Sequence, residues 1–143
     1  SNKKGKAIIQ TSQPDNTVLQ MATNYESKLF YNLQLESRKS LSYPPFSRLL
    51  RIIFQSKSEK ICEQKSMQFF NLLKKDCKNF IIGPFPCPIE KMFNYSRYHI
   101  IMKIPISKVK YVINKIHVIM KNKNLITSKN IKILIDMDSN STL

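Results

Sequence analysis

Two successive prolines in Tyr43-Pro44-Pro45-Phe46 constrain the fold of this chain more than any other feature of its sequence. A helix cannot run through them, because proline lacks the amide hydrogen and pushes the residue before it into extended geometry. Residues 25–41 have helical spacing, and residues 48–55 are rich in Leu and Ile, as in a strand. The tetrapeptide therefore predicts the clearest structural boundary in the chain.

The residues before this boundary predict one strand and two helices. Ala7–Thr11 has the pattern of a short strand, and the turn-forming residues 12–16 close it. Asn16 or Thr17 is suited to cap a short helix that ends near Asn24. Tyr25–Leu41 predicts a second helix, which ends before the prolines.

The residues after the boundary alternate regularly between strand and helix patterns. Ser58 is suited to cap the first of these helices. The alternating Pro84, Pro86 and Pro88 confine their part of the chain to a sheet edge or to an extended segment outside the sheet. The order β-α-β-β-α-β predicts an α+β fold of the ferredoxin-like class, with two helices on one face of a four-stranded antiparallel sheet. The predicted elements are the strands Arg48–Gln55, Phe80–Pro88, Tyr98–Pro105 and Asn130–Asp138, and the helices Ser56–Cys77 and Ser107–Lys123.

The net charge of the chain is +15, from 24 Lys and Arg against 9 Asp and Glu. A basic excess of this size favours polyanionic partners, because each neutralised phosphate releases a counterion. Lysine is much more abundant than arginine, and Ile and Asn are also frequent, as AT-rich genomes favour. Charge alone therefore leaves two interpretations open: nucleic-acid binding and drift in codon usage.

The distribution of the basic residues favours the first interpretation. No acidic residue falls between Glu90 and Asp136, and aromatic residues interleave with basic ones at the start of the third strand. This mixture is typical of surfaces that stack unpaired bases and contact phosphates, although Tyr98 also fits a core position and the lysines also fit a solvated face. The candidate nucleic-acid-binding residues are Lys91, Tyr95, Arg97, Tyr98 and Lys103.

Enzymatic motifs are absent from the sequence. With only Gly5 and Gly83, the chain has neither a phosphate-wrapping Walker loop nor a dinucleotide fingerprint. His99 and His117 are isolated from each other and from metal-ligand partners. The sequence therefore predicts no catalytic residue and no cofactor site.

Cysteines and acidic pairs give no metal or disulfide pattern either. Cys62, Cys77 and Cys87 are odd in number and contain no C-x-x-C pair, which predicts free thiols in a reducing cytoplasm. Asp136 and Asp138 share one strand face, but two ligands are too few for a metal site. No apolar run approaches the roughly 20 residues of a membrane span. The start lacks Met and enters a strand-like run at once, which predicts a piece of a longer protein.

Four groups of motifs occur in order along the chain: Gly5-Lys6-Ala7-Ile8-Ile9-Gln10-Thr11 with Gln13-Pro14-Asp15-Asn16; Glu36-x-Arg38 with Leu41-Ser42-Tyr43-Pro44-Pro45-Phe46; Gly83-Pro84-x-Pro86-x-Pro88 with Tyr95-x-Arg97-Tyr98; and Ile135-Asp136-Met137-Asp138. Together they resemble the C-terminal end of the primosomal protein N-prime (PriA) family of bacterial replication-restart helicases. The ordered set spans nearly the whole chain.

The resemblance implies two domains: residues 1–40 as the end of the second helicase lobe with a connecting helix, and residues 41–143 as a ferredoxin-like DNA-binding and docking domain. It implies forked or single-stranded DNA and the primosome proteins as partners, in the bacterial cytoplasm at the nucleoid. The Walker motifs and zinc cysteines of the family, which bind ATP, Mg²⁺ and Zn²⁺, would lie upstream of Ser1. We therefore expect no ATP hydrolysis by this chain alone.

The resemblance also implies a site for the acidic C-terminal tail of single-stranded-DNA-binding protein. Ser107-Lys108-Val109-Lys110 matches the family's S-R-V-R, which makes Lys108 and Lys110 the candidate residues. Lysine keeps the charge of arginine but loses its bidentate fork. Within this site, Val112 stands where the family has a polar residue. A second departure concerns DNA contact: residues 90–94 lack the family's basic residues and its Gly before Tyr95.

Two other functions remain open from the sequence. One is an RNA-binding or ribosome-associated module of ferredoxin-like fold. The other is a non-functional remnant of a decayed helicase gene, with a charge owed to codon drift.

Overall fold

The structure is a computed structural model that describes residues 5–121 and 130–138, without the side chains of residues 90–92. The chain divides into two compact units, Ser1–Ser37 and Arg38–Leu143. The predicted C-terminal residues of the second helix, up to Lys123, partly lie outside the described residues.

The first unit contains helix α1 (Thr17–Thr23) and most of helix α2 (Ser27–Ser40). The Asn16 side chain accepts a hydrogen bond from the Val18 amide at 3.0 Å and caps α1, as predicted. The predicted strand at Ala7–Thr11 is wrong, because residues 5–11 have no regular structure. A strand is stable only when a neighbouring strand satisfies its backbone hydrogen bonds, and this segment pairs with none among the described residues.

The end of α2 explains how the chain reaches the two prolines. The amides of Ser42 and Tyr43 donate to the carbonyls of Lys39 and Arg38, at 3.2 and 2.7 Å. Ser42 adopts a left-handed conformation with φ 52°. This pair of hydrogen bonds is a Schellman motif, which ends the helix at Ser40, four residues before Pro44.

The second unit is a four-stranded sheet with two helices, and it confirms the predicted α+β, ferredoxin-like class. The strand order is β2-β3-β1-β4, and every neighbouring pair is antiparallel. A 3₁₀ turn at Ile106–Lys108 leads into the last helix. The elements are β1 (Ser47–Ser56), α3 (Glu59–Cys77), β2 (Ile81–Met92), β3 (Tyr95–Pro105), α4 (Val109–Lys121) and β4 (Ile131–Met137).

The core lies between the helices and one face of the sheet. Phe54 of β1 meets Phe69 of α3 edge to face, with ring centroids 5.5 Å apart. Successive residues of a strand point to opposite faces, so alternate residues of β1 and β3 fill this core. It contains Leu50, Ile52, Phe54, Ile100, Met102 and Ile104 from the sheet, and Cys62, Phe69, Leu73, Cys77, Val112 and Ile116 from the helices.

Strand β2 is an edge strand, which is one of the two placements that its prolines predict, but it is longer than predicted and irregular. Two residues, Gly83 and Pro84, lie opposite Ile100 alone, between the pairs Ile82–Ile101 and Phe85–His99. Further along, residues 87–90 lie opposite Arg97 alone. These bulges bend β2, and pairing with β3 carries it four residues beyond the predicted end at Pro88, to Met92.

Candidate nucleic-acid interface

The face of the sheet opposite the helices carries a buried polar cluster. Arg51 of β1 donates from Nε and Nη2 to His99 Nδ1, at 3.2 and 2.9 Å. Its guanidinium also contacts the Cys87 thiol of β2. We call Arg51, Cys87, Arg97 and His99 the Arg51 cluster. It connects three strands, because the Arg51 side chain extends past β3 to β2.

Burial and charge fix the protonation states in the Arg51 cluster. Burial lowers the pKa of His99, and the charges of Arg51 and Arg97 lower it further. The imidazole is therefore neutral near pH 7, with Nδ1 free to accept from Arg51. Burial raises the pKa of the Cys87 thiol, so that it stays protonated. The cluster carries the positive charge of its arginines on the face of the sheet opposite the helices.

A groove of about 790 Å³ lies at the end of the sheet where β1 ends, β4 begins and the β2–β3 turn projects. We call it the hairpin groove. Two exposed lysines, Lys57 and Lys132, stand on its walls with Gln55 and Ser58. Phe93 and Tyr95 supply its aromatic surface, and Lys57 Nζ lies 6.0 Å from the centroid of the Tyr95 ring.

The turn between β2 and β3 holds an aromatic residue in an unfavourable conformation. Met92 pairs with Tyr95, so that Phe93 and Asn94 form a two-residue hairpin loop, with φ values of 51° and 62°. Loops of this type require positive φ at both positions, which suits Asn and Gly but not a bulky residue. Phe93 nevertheless occupies the first position, and it is 86% exposed. Its ring therefore stands in solvent at the tip of the hairpin.

The structure does not bring the predicted nucleic-acid-binding residues onto one surface. Tyr95 lines the hairpin groove, and Arg97 lies in the Arg51 cluster. Tyr98 points to the helix side and packs against the core. Lys103 Nζ lies 3.9 Å from the Tyr43 ring centroid and donates to the Leu41 carbonyl at 3.2 Å. The side chain of Lys91 lies outside the described residues.

Lys108 and Lys110, the predicted tail-binding residues, are both exposed near the start of α4. They are two positions apart, so their side chains do not share a helix face. Val112 is 0% exposed and belongs to the core, so it lines no surface site. The nearby Lys115 is paired with Asp76 at 2.9 Å, and this ion pair lowers the pKa of the Asp76 carboxyl.

Comparison with known proteins shows the family to which this chain belongs. The family model described as "Primosomal protein N C-terminal domain" matches residues 39–140. The chain belongs to this family. It is 38% identical over 96 residues to "Replication restart protein PriA" of Borreliella burgdorferi, across 66% of this chain and 14% of that protein. The protein of the same name from Thermotoga maritima is 32% identical over 100 residues, across 70% of this chain and 13% of that protein.

A third relative extends the similarity to the first unit. "Replication restart protein PriA" of Chlamydia pneumoniae is 29% identical over 148 residues, across 99% of this chain and 19% of that protein. The chain therefore spans less than a fifth of the length of these relatives. Among solved structures, "De novo designed protein Foldit4" has a TM-score of 0.46 and 11% identity, across 66% of this chain and 99% of that one. That likeness is too low to bear on function.

The PriA C-terminal fold brings together residues that the sequence pattern did not select. The hairpin groove is lined by Gln55, Lys57 and Lys132, although Gln55 and Lys132 are 77 positions apart along the chain. Gln55 is the cross-strand neighbour of Arg97 on β3 and of Lys132 on β4, so these three form a row across the sheet. The β-α-β-β-α-β order itself contained this signal, since it places the end of β1, the β2–β3 turn and the start of β4 at one end.

The acidic residues, histidines and cysteines of the second unit form no metal site among the described residues. Within the described part of the chain, no group of His, Cys, Asp and Glu is arranged to hold a metal ion. Cys62, Cys77 and Cys87 are buried free thiols, and burial raises the pKa of each. Asp138 pairs with Arg48 at 2.6 Å, which fastens the end of β4 to β1. No helix among the described residues is long and apolar enough to cross a membrane.

Proposed function

We propose that this chain is the DNA-binding and partner-docking C-terminal part of a replication-restart helicase, which acts at forks together with a motor located elsewhere in the protein. The hairpin groove is the observation that carries the proposal. It combines the rings of Phe93 and Tyr95 with the cations of Lys57 and Lys132, in a domain of a family whose relatives are named for replication restart.

The groove suits DNA on chemical grounds. Exposed lysines contact phosphates as point charges, and the resulting counterion release makes affinity depend on salt. Exposed aromatic rings stack on bases regardless of sequence. A protein that acts on abandoned forks of any sequence needs this combination. The chain's net charge of +15 adds a long-range attraction to the same polyanion.

Docking of a protein partner is proposed at the start of α4. Lys108 and Lys110 are exposed there, and their positive charges complement the acidic C-terminal tail of single-stranded-DNA-binding protein. Lysine cannot form the bidentate pair that arginine makes with a carboxylate, and Val112 is withdrawn into the core. We therefore expect a weak, salt-sensitive contact with the tail, carried by charge.

The motor and its cofactors are assigned to the rest of the protein. The sequence has no Walker loop, so ATP and Mg²⁺ would bind elsewhere, as would Zn²⁺. The expected location is the bacterial cytoplasm at the nucleoid, where primosome proteins assemble on DNA.

The test is a fluorescence-anisotropy titration of the 143-residue chain with labelled forked DNA, single-stranded DNA and a structured RNA of equal length. Forked or single-stranded DNA should bind tightest. With about three phosphates neutralised, the logarithm of the affinity should fall by about two per tenfold rise in salt.

Three outcomes would contradict the proposal. A preference for the structured RNA would favour a ribosome-associated or other RNA-binding module. Affinity that is the same at low and moderate salt would exclude phosphate contacts. An absence of binding to every probe would indicate a remnant without a nucleic-acid function.

A further inference from the structure

We propose that the hairpin groove binds a short stretch of unpaired nucleotides, with a base stacked on Tyr95 beside Phe93 and with phosphates on Lys57 and Lys132. The inference rests on the proposed function and assigns the site and the ligand chemistry within it. The groove would then bind single-stranded DNA in preference to duplex DNA, which a general basic surface would not do.

The shape of the groove fits a ligand of this size. Its volume of about 790 Å³ is within the range of small-molecule sites. Three strand ends form its walls, so its position is set by the backbone hydrogen bonds of the sheet. Gln55 and Lys132 are direct neighbours on adjacent strands, which keeps a polar amide and a cation side by side on one wall.

The aromatic residues are placed for contact with a ligand rather than for packing. Phe93 is 86% exposed and Tyr95 is 39% exposed, so both leave ring surface in water. The left-handed φ of 51° at Phe93 would suit Asn or Gly better than Phe. A bulky residue held in a strained conformation at a solvent-exposed tip points to a function for its ring.

The charges of the groove select an anion. Lys57 and Lys132 are both exposed in its lining, and none of the described lining residues is acidic. Lys57 Nζ lies 6.0 Å from the Tyr95 ring, so one site offers a cation and a stacking surface together. A nucleotide has both complementary groups, a phosphate and the π face of a base. Glu59, in the first turn of α3, is the nearest acidic residue in sequence to Lys57.

Unpaired nucleotides fit the groove better than duplex DNA. Paired bases are stacked on their neighbours and hide the faces that Tyr95 and Phe93 would contact. A duplex would therefore reach only the lysines, while a single strand would reach the lysines and the rings. The stacking contribution should thus appear with single strands alone.

The experiment compares the whole chain and its variants on three labelled probes: an oligothymidylate of about twelve nucleotides, an abasic strand of the same length, and a duplex of the same length. Abasic DNA retains the phosphates and lacks the bases. Tyr95→Leu removes the π face and keeps an apolar side chain. It should weaken oligothymidylate binding about tenfold and leave the abasic strand within about twofold.

Phe93→Asn gives an independent measurement, because Asn suits the left-handed turn and the variant should fold at least as well as the parent. It too should weaken oligothymidylate binding without affecting the abasic strand. Lys57→Gln and Lys132→Gln should weaken both single-stranded probes and make the salt dependence shallower. The matched controls are Tyr111→Leu, on α4 with an exposure of 43%, and Lys75→Gln, on α3.

The possible results separate this inference from the proposed function. If the parent chain binds oligothymidylate and Tyr95→Leu and Phe93→Asn bind it as tightly, base stacking in the groove is refuted, while DNA binding by the chain is shown by the parent titration itself. Equal losses on the abasic and normal strands would also overturn the stacking contact. If the parent binds none of the probes, both proposals fail. Circular dichroism of each variant confirms that its fold is intact.

Discussion

Replacement of Gly83 by alanine should destabilise the second unit strongly, whereas Gly5→Ala should have almost no effect. Gly83 lies at the first bulge of β2 with φ +116°, a conformation that side chains with a Cβ rarely adopt. A Cβ built there would lie 2.9 Å from the His99 carbonyl oxygen of β3, which is closer than real Cβ contacts. At Gly5 a Cβ would have nothing within 4 Å.

The magnitude follows from three contributions. The unfavourable φ costs about 1–3 kcal/mol. Relief of the clash requires β2 to move away from β3, which costs about 1–3 kcal/mol, as other overpacked substitutions do. The reduced entropy of the unfolded chain returns about 0.4–1 kcal/mol. The net loss is therefore about 1–5 kcal/mol, with a middle value of about 3 kcal/mol, a large part of the 5–15 kcal/mol typical of a domain.

Urea unfolding followed by far-ultraviolet circular dichroism measures this loss. With a slope of about 1–3 kcal/mol per molar urea, the midpoint of Gly83→Ala should fall by about 1–2 M. Gly5→Ala should stay within about 0.5 kcal/mol of the parent. If Gly83→Ala also stayed within that limit, Gly83 would not be held by this bulge, and the register of β2 described above would be refuted.

Two further predictions test the core and the Arg51 cluster. Val112→Asn should lower the free energy of unfolding in urea by about 2–5 kcal/mol, because it buries an amide in an apolar core. The control Val118→Asn, at a 67% exposed position of α4, should be nearly neutral. A mild effect of Val112→Asn would mean that residue 112 faces a surface site. Stability should also decline as the pH falls from 6.5, the ordinary pKa of histidine, towards 5. Because the pKa of His99 is lowered in the folded state, the unfolded state binds the proton first, with a slope of up to about 1.4 kcal/mol per pH unit. His99→Asn, which keeps an acceptor for Arg51, should flatten this decline, and the same slope in His99→Asn as in His117→Gln would exclude His99 as its source.

The sequence predicted the local elements well, because helices and strands differ in the period of their apolar residues. Capping residues were also predictable, because a cap bonds to an amide close by in the chain. Asn16 and Ser58 accept hydrogen bonds from amides two and three residues further on. The proline pair was also decisive locally, since no helix can continue through Pro44 regardless of tertiary contacts. The segment Ala7–Thr11 shows the limit of this approach, because a strand pattern cannot report whether a partner strand exists.

The side chains of the candidate site were harder to predict. Tyr95 and Tyr98 have the same side chain and similar neighbours in sequence. They are three positions apart, an odd offset, so the pleat turns Tyr95 to the groove and Tyr98 to the core. Lys103 matched a basic surface in the sequence, but its ammonium group packs on Tyr43, sixty residues earlier in the chain. Arg51 lies within the predicted strand Arg48–Gln55, and its local sequence does not indicate that it is the centre of a polar cluster.

The sequence by itself therefore determined the order of the elements, their caps and the membership of a family, since each depends on residues close together or on motifs in order. The tertiary structure alone decided which lysines and aromatic rings share the hairpin groove, and that Val112 lies in the core. The physical reason is that strand register and bulges set those neighbours. A bulge at Gly83 changes every pairing beyond it, and no local period records that change.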